Sequence, residues 1–266
     1  MGILEGKRVL VTGLTAHNSI AFGIADQAQR EGAKIVVSNF GRAMRMTRRS
    51  VAKLDPVPDI IELDVTNEAD LARLPDELMD KLGGVDGVVH SIAFADPVKT
   101  MGGRFLSAPW EAVAQSLQIS SYSLAALARA CAPIMEPGGA FVALSFQANV
   151  SWPSYDWMGV SKASLEAVSR YLARYLGPMG IRSNIVSAGP INTLSKKAIP
   201  IISDEEEQWV ARAPLRWDPN STRAAALAAC ALLSDYFGST TGEIVHVDGG
   251  FHSTGIKPVR SNLIKA

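Results

Sequence analysis

Short apolar runs rich in branched residues alternate with longer stretches that repeat apolar residues at helical spacing. Arg8–Thr12 (RVLVT) has the strand pattern and is stopped by Gly13. From Ile20 to Glu31 the apolar positions follow a helix, and Gly32 ends it. Further strands are predicted at Lys34–Ser38, Ile60–Leu63, Gly87–His90, Ala140–Ser145, Ile181–Ser187 and Glu243–Val247. Helical stretches are predicted at Trp110–Met135, Tyr155–Leu176 and Thr222–Ser234. Breakers mark the joints: Pro137-Gly138-Gly139, Gly177-Pro178 and Asp248-Gly249-Gly250.

The strands are apolar throughout, so both of their faces are covered. Strict alternation of such strands with helices predicts an α/β fold. The expected architecture is a single-domain, Rossmann-like, doubly wound parallel sheet of seven strands. The domain is expected over residues 1–255, with residues 256–266 as a tail lacking periodicity. Residues 194–217 read as irregular, carry an acidic run at Asp204–Glu207, and suit a lid over a substrate. Ligands of such sheets bind beyond the carboxyl ends of the strands, so chemistry is sought just after each one.

Composition narrows the classes. The chain of 266 residues is 47% hydrophobic and 20% charged, enough for a sizeable core. Lys plus Arg and Asp plus Glu number 26 each, which gives no long-range pull toward nucleic acid or an anionic membrane. The longest apolar run, around Ala224–Leu233, is too short to cross a bilayer. The N-terminal segment enters the first strand without a leader-like pattern, and a cytoplasmic protein is expected. Cys131 and Cys230 lie in helical runs and are expected as buried, reduced thiols, and no residues have metal-ligand spacing.

Three places carry chemistry. After the first strand, Gly13 permits a tight turn while Ser19 and Ile20 open a helix. Amides at a helix start can hold a pyrophosphate, and the Ser19 hydroxyl can donate to it. The same segment also reads as an ordinary strand–turn–helix with Ser19 as its N-cap, and His17 there as a solvated loop residue. After the second strand, Asn39-Phe40-Gly41-Arg42 offers no acid for a ribose 2′-hydroxyl. Arg42 and Arg45 either pair with a 2′-phosphate or form a solvated helix face. Third, Tyr155 and Lys162 stand seven apart, nearly two helical turns, and share a helix face. A lysine beside a phenol can hold ribose hydroxyls and make the phenol a better hydrogen-bond donor to an oxygen gaining charge. His90 reads as a satisfied buried histidine.

Gly13 followed by Ser19-Ile20-Ala21, the seven-residue Tyr155–Lys162 spacing, and WPSYDWMGVSK at Trp152–Lys162 resemble the enoyl-(acyl-carrier-protein) reductases of the actinobacterial type. These belong to the short-chain dehydrogenase/reductase superfamily, whose ketone reductases use a shorter spacing. The closing TTGEIVHVDGG at Thr240–Gly250 fits as well, and the likeness covers about residues 2 to 255. It implies NADH as cofactor, with NADPH left open by Arg42 and Arg45. Phe40 would then pack beside the adenosine, Asp64 accept from the adenine amino group, and Val65 pack on the ring. Ser91, Ile92 and Ala93 would run along the cofactor's centre. The Ile191 backbone would pair with the carboxamide, Thr193 reach a phosphate, and Lys162 hold the ribose.

Phe146 would lie next to the nicotinamide, although plain core packing also accounts for it. The implied reaction is reduction of a trans-2-enoyl thioester, linked to acyl-carrier protein or CoA, as in the last step of the fatty acid elongation cycle. The implied assembly is a homotetramer built on the apolar faces of Trp110–Met135 and Leu165–Leu176. The segment 194–217 looks shorter than in mycobacterial long-chain relatives, implying short to medium acyl chains. Departures at Thr15-Ala16-His17, Ala93 and Ser145, the last an acid in mycobacterial relatives, leave room for a carbonyl reductase of the same fold. A reading of another class is a dinucleotide-binding sensor without turnover.

Overall fold

A computed structural model describes residues 1–194 and 203–255. Seven strands form one sheet: β1 (Arg8–Thr12), β2 (Lys34–Asn39), β3 (Asp59–Glu62), β4 (Gly87–His90), β5 (Ala140–Ser145), β6 (Arg182–Ala188) and β7 (Ile244–Val247). Their order is β3-β2-β1-β4-β5-β6-β7, and every pairing is parallel. The order turns back between β1 and β4, which opens a crevice at their carboxyl ends.

Alternate residues of each strand serve opposite faces. Val9 and Val11 face α1 (Ile20–Arg30) and the C-terminal helix Arg223–Leu233, meeting Ile24, Ala28, Ala225 and Ala229. Leu10, between them, faces the layer of α3 (Glu68–Leu82), α5 (Ser123–Cys131) and α6 (Asp156–Leu176), through Leu74, Leu78, Leu124, Leu127 and Leu165. Arg182 of β6 is buried. It donates to the carbonyls of Leu232 (2.7 Å) and Ser234 (3.0 Å), satisfying the end of the C-terminal helix. Cys131 and Cys230 are free and buried, and burial pushes both thiols up to about 12.

Several expectations need correction. Two helices had no expected bounds: α2 (Met44–Val51), of which only a helix face at Arg42 and Arg45 was weighed, and α3, which contains Pro75. The stretch Trp110–Met135 is not one regular helix. It is α4 (Trp110–Leu117), a widened π turn (Gln118–Tyr122), α5, and a final tight turn at Ala132–Ile134. The cause is a serine-rich segment whose hydroxyls compete for backbone groups. Ser121 and Ser123 donate to the carbonyls four residues back, while Ser120 both accepts from Phe94 N and donates to Phe94 O, each at 2.8 Å. Helix α6 begins at Asp156, so Tyr155 is its cap residue. Within 194–217, the described part is not irregular throughout, because α7 spans Ser203–Arg212. Residues 195–202 of the expected lid and the expected tail, 256–266, lie outside the described residues.

Candidate active site

The turns expected to bind a dinucleotide lie at the crevice. Gly13 has φ +72°, and a Cβ there would stand 2.2 Å from the Ser91 carbonyl oxygen, so the first loop presses against the end of β4. Ser19 caps α1, its hydroxyl accepting from Phe22 N at 3.2 Å. That role leaves the hydroxyl proton available for a phosphate at the helix start, where Ile20 is the first helical residue. His17 is exposed, as expected of a solvated loop residue. A pocket beside this loop is lined by Gly13, Phe40, Asp64, Val65 and Ile92, with Ser38, Asn39, Leu63 and Ile119. Asp64 offers a carboxylate whose other oxygen accepts from Thr66 N and Oγ1. Ser91 stands half-buried and Ala93 exposed along the crevice. The fit to a dinucleotide rests on this glycine cradle, the capped helix start and the apolar pocket with one carboxylate.

Asn18 closes the loop onto the far side, donating to Asn192 O at 3.0 Å. The turn after β6 is thereby brought opposite the loop after β1, with Ile191 buried and Thr193 half-buried.

Tyr155 and Lys162 both turn toward the end of β5, at 9% and 7% exposure. The Lys162 ammonium donates to Leu144 O at 2.7 Å. Burial pulls it down to about 8, against the opposing pull of Glu166 one turn further along α6. Burial pushes the Tyr155 phenol up, so it stays protonated at neutral pH. No described group hydrogen-bonds the phenol oxygen, which leaves its proton for a ligand. Ser145 donates to Glu166 Oε1 at 2.7 Å, and burial outweighs that bond in raising the Glu166 carboxyl. His90 is fully buried. Its Nε2 lies 2.7 Å from Ser123 Oγ, while Nδ1 has no partner among the described residues, so the expectation of a satisfied ring is half met. Burial first, and the Lys162 charge second, hold the ring neutral by lowering it to about 3.

Phe146, next after β5, meets the Tyr155 ring edge-on at 5.5 Å. It also touches Trp152 and Trp209, each at 5.3 Å. The loop ahead of α4 is tied to the start of α6. Asp156 accepts from the amides of Gly103 (2.7 Å) and Arg104 (2.9 Å), which fixes Met101 beside Tyr155.

A profile of the enoyl-(acyl carrier protein) reductase family matches residues 13–252. The chain belongs to that family. It is 44% identical to the enoyl-(acyl-carrier-protein) reductase (NADH) of Mycolicibacterium smegmatis, over 94% of this chain and 97% of that one. It is 42% identical to the Mycobacterium avium enzyme of the same name, over 94% and 97%. The corresponding reductase of Escherichia coli is 38% identical, over 94% and 96%.

For this reductase the sequence missed some residues at the site. Glu62 accepts from Gly41 N at 3.2 Å and so brings a carboxylate to the end of β2, where none was expected. Glu62 is close in sequence to the strand end that yielded Asp64, but its reach to the neighbouring strand has no local signature. Glu166 was legible in principle, being four residues after Lys162 on the same helix. Arg42 and Arg45 are both exposed.

Proposed function

We propose that the protein reduces the carbon–carbon double bond of a trans-2-enoyl thioester, carried on acyl-carrier protein or CoA, with NADH, as in the last step of the fatty acid elongation cycle. The observation that carries this is the buried Tyr155–Lys162 pair, seven residues apart, at the end of a crevice that also holds the nucleotide loops. The names of the relatives, each an enoyl-(acyl-carrier-protein) reductase (NADH), point the same way.

When bound, NADH supplies a hydride for the β-carbon of the substrate. The chain does the rest by positioning and electrostatics. Gly13, Ser19 and Ile20 hold the pyrophosphate; Phe40, Asp64 and Val65 hold the adenosine; Ser91, Ile92 and Ala93 flank the centre; Ile191 and Thr193 meet the nicotinamide end. Lys162 turns its ammonium to the ribose hydroxyls. Tyr155 donates to the thioester oxygen, which gains charge as the double bond is reduced, and a dry surrounding strengthens that hydrogen bond. Phe146 limits the poses of the reacting chain by shape.

We further propose that 194–217 covers the substrate as its lid, with α7 as its anchored end, because Trp209 of α7 packs against Phe146. A homotetramer is supported by the aromatic surface of α4 to α6, where Trp110, Tyr171 and Tyr175 are 68%, 65% and 71% exposed; light scattering on the purified protein tests it. No described helix is long and apolar enough to cross a membrane. A cytoplasmic location suits the two free thiols.

Stopped-flow loss of NADH absorbance with crotonyl and octenoyl thioesters, against matched ketones, tests the reaction. Oxidation is expected with the thioesters. Oxidation with ketones alone would make the protein a carbonyl reductase, and tight NADH binding without any turnover would make it a sensor.

A further inference from the structure

The described buried apolar residues fall into four clusters. Two cover the faces of the sheet. The other two lie at its carboxyl edge and share Phe146 and Trp152. One contains Tyr155 with Ala95, Met101 and Met158, and the other contains Trp209, Ala213 and Phe251. An acyl chain whose thioester oxygen meets Tyr155 must lie on apolar surface, and among the described residues these clusters supply apolar surface beside that phenol.

The two clusters differ in stiffness. Methionine has three rotatable bonds and adapts to what lies against it. The aromatic cluster is stacked and tied down. Trp209 and Phe251 are parallel within 6° at 3.8 Å, and Trp152 lies 5.4 Å from Trp209 and 5.7 Å from Phe251. Trp209 Nε1 donates to Asp248 O at 3.1 Å and Trp152 Nε1 to Gln147 O at 2.8 Å. The Arg212 guanidinium sits 4.3 Å over the Phe251 ring and donates to Thr254 O at 2.8 Å. Shifting a ring would break stacking and strand an indole N–H away from water. Trp209 and Phe251 are 1% and 6% exposed, so the stack is filled space behind Phe146 rather than the rim of a channel.

We propose that the Trp152–Trp209–Phe251 stack is the end wall of the acyl site and confines the enzyme to short enoyl thioesters. This rests on the reaction proposed above and adds its substrate class. A short chain is taken up at the methionine cluster, whose side chains adapt to what lies against them. A longer one must push into rings held by hydrogen bonds.

The experiment is a ladder of crotonyl, hexenoyl, octenoyl and dodecenoyl thioesters with NADH. It uses the wild-type enzyme, Trp152→Met and Phe251→Leu. Binding of the same ladder to the enzyme–NAD complex, read by tryptophan fluorescence, runs alongside. The wild type is expected to lose about tenfold or more in kcat/KM from hexenoyl to dodecenoyl, and each variant to recover most of it. Equal kcat/KM along the wild-type ladder overturns the proposal, as does a wild-type loss that neither folded variant relieves. If no thioester is reduced, the reaction itself is wrong. The wall then stands or falls on whether dodecenoyl binds more weakly than hexenoyl to the wild type and less so to the variants.

Discussion

At the end of the crevice proposed for the adenosine, the protein offers mostly backbone turns, small side chains and an exposed ring. Gly13 yields its space to Ser91, and Phe40 stands 45% exposed. At the reacting end, it buries a phenol and an ammonium among aromatic rings and methionines. The first arrangement recognises a shape that is the same before and after reaction. The second holds groups away from water, so their interactions strengthen only when charge develops beside them. Substitutions at the adenosine end should therefore change cofactor affinity with turnover preserved. Those at the reacting end should change turnover with affinity preserved, apart from Lys162, which belongs to both.

Lys162→Ala should give the largest effect, losing about a thousandfold in kcat/KM and weakening NADH about tenfold, because a charged hydrogen-bond donor is lost from both tasks. Steady-state kinetics paired with NADH fluorescence titration measures both. Tyr155→Phe should lower kcat about a hundredfold with NADH affinity within about twofold; an equal loss in affinity would erase the distinction between the two ends. Gly13→Ala should act the opposite way. Its Cβ would meet Ser91 O at 2.2 Å with φ +72°. That should cost about 2 kcal/mol in stability and weaken NADH about tenfold, leaving kcat at saturation near wild type.

The pH profile sharpens the same contrast. Lys162 is charged below about 8 and loses its proton as pH rises through that value. The alkaline limb of kcat/KM should therefore fall about tenfold per pH unit above it. Glu166→Gln removes the group that raises the lysine, so its limb should begin at lower pH. The smallest effect is expected from Glu62→Gln. Removing the carboxylate at Gly41 should raise use of NADPH relative to NADH by about threefold to tenfold, measured as the ratio of the two kcat/KM values.

The strands were legible as short runs of branched apolar residues bounded by breakers, even though buried β6 opens on Arg182, Ser183 and Asn184, and their ends moved by only about a residue. Helix α2 was only half visible because polar residues do part of its burying: Thr47 donates to Leu14 O at 2.6 Å and Ser50 to Thr15 O at 3.0 Å. Helix α3 was hidden by Pro75 and its many charges, although Asn67 as cap and Gly83 at its end were visible signals. At the candidate site, most residues proposed for the nucleotide follow a strand, which fixes their place in space. The aromatic wall was not readable. Trp152, Trp209 and Phe251 come from separate stretches of chain, and only the folded sheet brings them together.

The π turn at Gln118–Tyr122 resets the phase between two lengths of one rod. One extra residue in the winding rotates the downstream length by about 100° relative to the upstream length. Before the turn, Ser116 faces α6, meeting Ser161 at 2.9 Å; after it, Leu124 and Leu127 address the sheet. At the offset itself, Ser120 grips Phe94 by both amide and carbonyl. A single irregular winding thus lets one continuous segment serve two neighbours and steady the strand-end loop that runs along the crevice.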